Sequence, residues 1–167
     1  IDSGGGEGMG CRIMQEAINS RNKPVVAFCN DFVASAAYGI ASCCDKIVAN
    51  SNVCRIGSVG TYMTIVDTSE YYAKMGIKLI DIYASKSTDK NQEFQKALQG
   101  DTEPLKKVCD TYNENFISSI ANARVGMINE DQGKWATGKM FFAPEAMDIG
   151  MIDEIDTFEN VLNYFNT

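Results

Sequence analysis

The chain has 167 residues, is 45% apolar and carries a net charge of −7 without a single histidine. That length and apolar share suffice for one core, read as a single α/β domain over residues 1–167. The acidic balance, with a pI near 4.6, excludes a nucleic-acid binder, which needs clustered Lys and Arg, and no basic amphipathic stretch offers itself to anionic lipid. There is no run of about 18 apolar residues and no basic-then-apolar leader, so the sequence reads as soluble. Because Ile1 already lies in what looks like a strand end, native sequence, including N-terminal strands, is expected to precede it. Any membrane association would come through such a segment.

In chain order, residues 1–10 (IDSGGGEGMG) form a Gly-rich turn, and Met9, Ile13, Met14, Ala17 and Ile18 then repeat at helical spacing. Asn19 to Lys23 breaks that helix, and Pro24 to Phe28 reads as a buried strand. A polar turn leads to Ser35, which opens a helix of small residues, and Lys46 to Ala49 is the next strand. Arg55 to Gly60 is a glycine-bracketed turn. Thr68 to Met75 reads as a short helix stopped by Gly76, with a strand from Lys78 to Tyr83. Leu105, Val108, Tyr112, Phe116 and Ile120 set a long helix over 101–124, capped by Asp101 or Thr102 with Pro104 in its first turn. The tail adds a short helix around Pro144 to Ile149, a stop at Gly150, a strand from Met151 to Ile155, and an amphipathic helix carrying Phe158, Val161, Leu162 and Phe165. Trp135 and Tyr38 read as packing residues.

Six cysteines (Cys11, Cys29, Cys43, Cys44, Cys54, Cys109) show no CxxC pair, and without histidine a zinc site has little to build on. Most have apolar neighbours, so buried thiols in a reducing, cytoplasmic-type compartment are expected. The turn Gly4-Gly5-Gly6-Glu7-Gly8 has neither GxGxxG nor GxxxxGK[ST] spacing, which removes the phosphate-loop reading. The same geometry serves an oxyanion hole, where backbone amides face an oxygen that becomes negative. Ser-x-x-Lys occurs at Ser20–Lys23 and Ser87–Lys90, but no SDN or KTG element accompanies either. A serine that opens a helix is commonly an N-cap. Around Ser35, however, Ala34, Ala36, Ala37 and Gly39 leave room for an extended substrate to approach the backbone. A nucleophilic serine in a chain without histidine must look to lysine for its base.

Taken together, IDSGGG, KPVVAFCNDFVASAAYGIASCCDKIVAN, IGSVGTY, FISSIANAR and ATGKMFFAPEAMDIGMIDEI resemble, in order and spacing, the signal peptide peptidase A family of serine peptidases, phage-type members included. The resemblance implies a Clp protease/crotonase-like α/β fold of stacked parallel strands with flanking helices, and a Ser-Lys dyad endopeptidase without metal or organic cofactor. Ser35 falls where the family's nucleophile stands, with the amides of Gly5 or Gly6 and of Ala36 as oxyanion donors. Gly4 replaces the family's proline, and Ala36-Ala37 replace its Gly-Gly pair; no amide donor is lost by either change.

The family's lysine aligns near Thr88 or Asp89, with Lys86 and Lys90 on either side, so both stand as candidate bases. Ser58, in the family's G-S-I-G turn, stands as possible support for the lysine. A lysine base must be neutral when it takes a proton, and lowering its reference pKa from about 10.4 to about 7.5 costs roughly 4 kcal/mol of desolvation. A covered lysine is therefore expected, shielded by a neighbouring subunit of a homo-oligomer. The implied substrates are extended peptides, in signal-peptide degradation or phage head maturation. Two other classes stay open: a catalytically inactive assembly scaffold, and a crotonase-type acyl-CoA enzyme.

Overall fold

The computed structural model describes residues 1–165. The chain divides into two compact units, one formed by residues 1–61 and 112–167 and the other by residues 62–111.

The first unit holds two three-stranded sheets. In one, β1 (Val26–Cys29), β3 (Lys46–Ala49) and β6 (Glu154–Ile155) run parallel, with Val26 opposite Lys46 and Val48 opposite Glu154. In the other, β2 (Phe32–Ala34) pairs parallel with β4 (Arg55–Gly57), and β4 pairs antiparallel with β5 (Met140–Phe142). Short apolar runs such as VAFC and KIVA suit parallel strands covered on both faces. The polar turn at Asn30 and Asp31 carries the chain from one sheet to the other: the Asn30 amide donates to Ile1 and the Arg55 amide to Asp31. Residues 1–3 lie along both sheets, with Ser3 bridging Val33 in parallel. Strand β2 was not legible in the sequence, because three residues are too few to show alternation. For the same reason the segment read as a turn at 55–60 begins as strand β4, and β5 was missed.

Helix α1 (Gly8–Asn19) forms where the apolar repeat placed it, but its facing is a correction. Cys11 and Gln15 are buried, while Met9, Ile13 and Met14 are 64, 59 and 49% exposed. The helix packs through its polar-looking side because the Gln15 amide donates to the Gly39 carbonyl and the Ser119 hydroxyl, and α2 (Ala36–Ala41) offers only small residues to pack against. The long helix α5 (Glu103–Ala123) is present, its first turn capped by the Asp101 carboxylate. Its stripe is fully buried only at Ile120, and Tyr112 is exposed. Helix α6 (Ala143–Asp148) and helix α7 (Phe158–Asn163) stand where the tail pattern put them. The α7 stripe buries Val161 and lays Phe158 against Phe28, ring centroids 5.2 Å apart, while Leu162 and Phe165 face outward. Val33, Ile47, Ile56, Trp135, Phe141 and Met151 lie at the centre of the core, and Tyr38 is buried with them.

The second unit contains α3 (Ser69–Lys74), α4 (Gln92–Leu98) and the start of α5. None of its residues is buried. The strand expected from Lys78 to Tyr83 does not form: the segment is unpaired, with Ile80 72% and Ile82 91% exposed. A β-branched run states a preference for a pleated surface, and a ladder partner has to realise it. All six cysteines are free thiols, four of them buried. Among the described residues no helix is long and apolar enough to cross a membrane.

Candidate active site

Ser35 sits at the junction between the end of β2 and the first residue of α2, in a backbone conformation (φ 52°, ψ −126°) that L-residues rarely adopt. Such a conformation costs about 1–3 kcal/mol and persists only where the surroundings impose it. Here they do. The Ser35 amide donates to the Gly57 carbonyl at 2.8 Å, and the Ser35 carbonyl accepts the Gly39 amide at 3.0 Å. The capping role that a helix-opening serine ordinarily plays is absent, because an N-cap needs an extended backbone and the Ser35 side chain makes no cap hydrogen bond. A serine on a strained strand-to-helix turn whose side chain makes no cap hydrogen bond has the geometry of a nucleophile elbow.

Two glycine turns close on this serine. Gly5 has φ +102°, and a Cβ there would lie 2.7 Å from the Ser35 Cβ and 3.0 Å from the Ala36 nitrogen. No side chain fits at that position, so the glycine turn is pressed directly onto the serine turn. Of the two glycine amides expected as oxyanion donors, Gly5 donates to the Ser3 hydroxyl at 3.2 Å. The Gly6 amide and the Ala36 amide, which opens α2, enter no backbone hydrogen bond among the described residues. On the other side, Gly57 has φ +133° and its absent Cβ leaves space for the Lys139 carbonyl, which accepts the Ser58 amide at 2.8 Å. Ser58 itself has φ 53°, so the turn beside Ser35 is strained as well.

A cleft of about 390 Å³ opens beside the Gly6 and Ala36 amides, walled by Ile1, Cys11, Met14, Ala37 and Ile40, with Glu7 at its lining. Cys11 does not compete with Ser35 as nucleophile: burial pushes its thiol up, and its sulfur lies 3.4 Å from the Ala36 carbonyl. Burial pushes the Cys29 thiol up to about 12. Both therefore stay protonated near neutral pH, the unreactive state for a thiol. Among the described residues no three His, Cys, Asp or Glu side chains gather to hold a metal ion.

The structure thus brings Ser35, Gly5, Gly6, Ala36 and the Gly57-Ser58 turn together in the first unit. Lys86 and Lys90 belong to the second, each in a turn with its side chain exposed. The backbone strain at Ser35 and Ser58 and the supporting Lys139 carbonyl were not read from the sequence. The only available signal was the small residues around Ser35 and the glycines at 57 and 60 that bracket Ser58, which permit such conformations without demanding them.

Residues 17–167 match the profile of Peptidase family S49. A protein of Methanocaldococcus jannaschii that carries the word protease in its name is 29% identical over 164 residues, covering 97% of this chain and 52% of its own length. The head-tail preconnector protein GP5 of Enterobacteria phage P21 is 25% identical over 169 residues, covering 100% of this chain and 33% of that one. The chloroplastic serine protease SPPA of Arabidopsis thaliana is 26% identical over 165 residues, covering 93% of this chain and 23% of the relative. The chain therefore spans about half, or less, of the length of these relatives. An enoyl-CoA hydratase/isomerase family protein from Silicibacter pomeroyi superposes with a TM-score of 0.50 at 14% identity, over 95% of this chain and 47% of that one. That likeness gives the crotonase-like fold and nothing about chemistry.

Proposed function

The chain belongs to Peptidase family S49, and from that membership we propose that it is the catalytic part of a serine endopeptidase acting through Ser35 and a lysine. The observation that carries the reading is the strained Ser35 turn, free of any capping duty and pressed against Gly5. The Ser35 oxygen attacks the scissile carbonyl while the lysine takes its proton; the amides of Gly6 and Ala36 receive the developing oxyanion. The protonated lysine then passes its proton to the leaving amine, and lysine-activated water releases the acyl group. The base is Lys90 or Lys86, and a neutral amine requires that the exposed side chain be covered in the active assembly.

A second copy of the chain is the proposed cover. The support is the second unit itself, in which Ile77, Leu79, Ile80, Ile82 and Tyr83 are all exposed along one segment, a run of apolar side chains of the kind that marks interaction surfaces. Substrates are extended peptides laid as an added strand beside the glycine turn, with apolar side chains entering the cleft at Met14 and Ile40. Both signal-peptide degradation and phage head maturation fit this chemistry, the latter in line with the phage relative. The six free thiols support a reducing compartment.

Peptidase assays on the full-length, assembled protein and its Ser35→Ala, Lys86→Ala and Lys90→Ala variants test the reading. Loss of cleavage in Ser35→Ala and in one lysine variant is expected. Cleavage at wild-type rate in all three overturns the dyad. The exposed lysines favour one other reading, an S49-fold assembly scaffold without catalysis, which wild-type protein inert toward every peptide would support.

A further inference from the structure

At the end of the Ala34-Ser35-Ala36-Ala37-Tyr38 run stands a fully buried tyrosine whose hydroxyl donates to the Met151 carbonyl at 2.9 Å, 113 residues away in sequence. The segment that receives it is held at nearly every polar group. The Gly150 carbonyl accepts from Arg124 at 3.0 Å, and the Met151 amide donates to Ala146 at 2.8 Å. The Asp153 amide donates to the Ile47 carbonyl at 2.9 Å, while the Asp153 carboxylate accepts the Ile47 amide at 2.7 Å. The same carboxylate takes both terminal nitrogens of Arg124, at 3.0 and 2.7 Å. Arg124 is 1% exposed and the Asp153 side chain 24%, so the pair is partly buried, and loss of the carboxylate would leave a buried guanidinium without its partner.

Tyr38 therefore ties α2 to an anchor built from β3, α6 and the end of α5. At the opposite end of the same turn, Ser35 is tied to Gly57 and crowded by Gly5. A strained φ/ψ needs restraint from both sides, or the turn relaxes toward an ordinary helix start with the hydroxyl back in a capping position. A phenylalanine would fill the same volume, so packing alone does not account for the hydroxyl and its bond.

We propose that Tyr38 is a positioning residue: through Met151 and the Arg124–Asp153 pair it holds the Ser35–Ala36 turn in its strained shape. The proposal rests on the reading of Ser35 as nucleophile. Tyr38 touches no substrate; it acts on the serine and on the neighbouring amide only through the backbone of α2.

The test uses the full-length assembled protein with Tyr38→Phe, and Val161→Ala in α7 as a control that loosens the core elsewhere. Three quantities are read: Tm, amide hydrogen exchange at residues 36–39, and kcat and KM on a peptide. Tyr38→Phe is expected to speed exchange at residues 36–39 and lower kcat about tenfold with KM unchanged, since small misplacements of reacting groups cost rate without costing binding. Val161→Ala, with an equal or larger fall in Tm, is expected to leave kcat within about twofold and exchange at 36–39 unaltered. Asp153→Asn, which weakens the anchor, should shift kcat and exchange in the same direction as Tyr38→Phe. Exchange at 36–39 that stays at the wild-type rate in Tyr38→Phe overturns the proposal, as does a kcat loss no larger than that of Val161→Ala. If wild-type protein cleaves no peptide, the serine reading fails, and the exchange measurement alone still decides whether Tyr38 holds the turn.

Discussion

The two units of this chain are built on opposite principles. In the first, the Ser35 turn is held by the fold itself: Gly5 and Gly57 admit backbones that no side chain could pass, and Val33, Ala34 and Ile56 of the adjoining strands are buried. In the second, which holds Lys86 and Lys90, no residue is buried and a β-branched run lies unpaired. On the proposed reading, the Gly6 and Ala36 amides stand ready beside Ser35, whereas the exposed Lys86 or Lys90 has to be covered before it can serve as base. Activity is then expected to follow oligomer formation.

The sharpest way to break this contrast is at the preorganised end. Ser35→Ala should lower kcat by about 10⁴-fold or more, leaving the oxyanion amides' residual contribution; turnover within tenfold of wild type in a peptide assay would remove Ser35 from the chemistry. Next in size, one of Lys90→Ala and Lys86→Ala should cost about 10³-fold in kcat and the other less than about fivefold, since a loop lysine without a role is freely replaced. Equal effects of the two would end the idea of a single base. Gly5→Ala should cost about 10²-fold in kcat, because its methyl meets the Ser35 Cβ at 2.7 Å and the Ala34 carbonyl at 2.9 Å; unaltered kinetics would mean that the two turns are not coupled.

The covering end predicts a different signature. Ile80→Asp and Ile82→Asp change residues that are 72 and 91% exposed, so the stability of the unassembled chain should move by less than about 0.5 kcal/mol in denaturant unfolding. Sedimentation, by contrast, should show dissociation and a parallel loss of activity. Assembled, active variants would sever the link between apolar segment and lysine cover.

The smallest effect lies in the first unit, where β3 meets β6. Lys46 and the Tyr164 hydroxyl hold the Glu154 carboxyl below the usual carboxylate range, and Lys46 is raised in turn. Because the folded value of Glu154 is depressed, its stabilisation is present above the ordinary carboxylate pKa and fades as pH falls through the folded value. Acid should thus loosen α7 slightly below about pH 4, and Glu154→Gln should flatten that part of a Tm-against-pH curve.

How much of this was legible beforehand depends on the range of the interactions involved. Helix α5 and the strands β1 and β3 were readable because periodicity and apolar runs are local properties. Ser35 was singled out through the order of five motifs, with the amides of Gly5 or Gly6 and of Ala36 as the donors that the family resemblance implies. What failed was facing and pairing: Met9, Ile13 and Met14 form a proper stripe, yet α1 buries Cys11 and Gln15, because the hydrogen bonds of Gln15 to Gly39 and Ser119 join segments 24 and 104 residues apart. The segment 78–83 has strand chemistry and no strand beside it.

The amino-acid sequence by itself determined that this is an α/β chain of the S49 family and that its 167 residues contain no histidine, and it singled out Ser35, Gly5, Gly6 and Ala36 as the candidates for acyl transfer. Only the tertiary structure decided that Ser35 is strained rather than capping, that the Gly5 amide is turned to Ser3 while Gly6 is left open, and that Tyr38 reaches across to Met151. The physical reason is common to all three. A backbone dihedral outside the ordinary basins and a hydrogen bond over 113 residues are imposed by neighbours distant in sequence, and local preference contains no record of them.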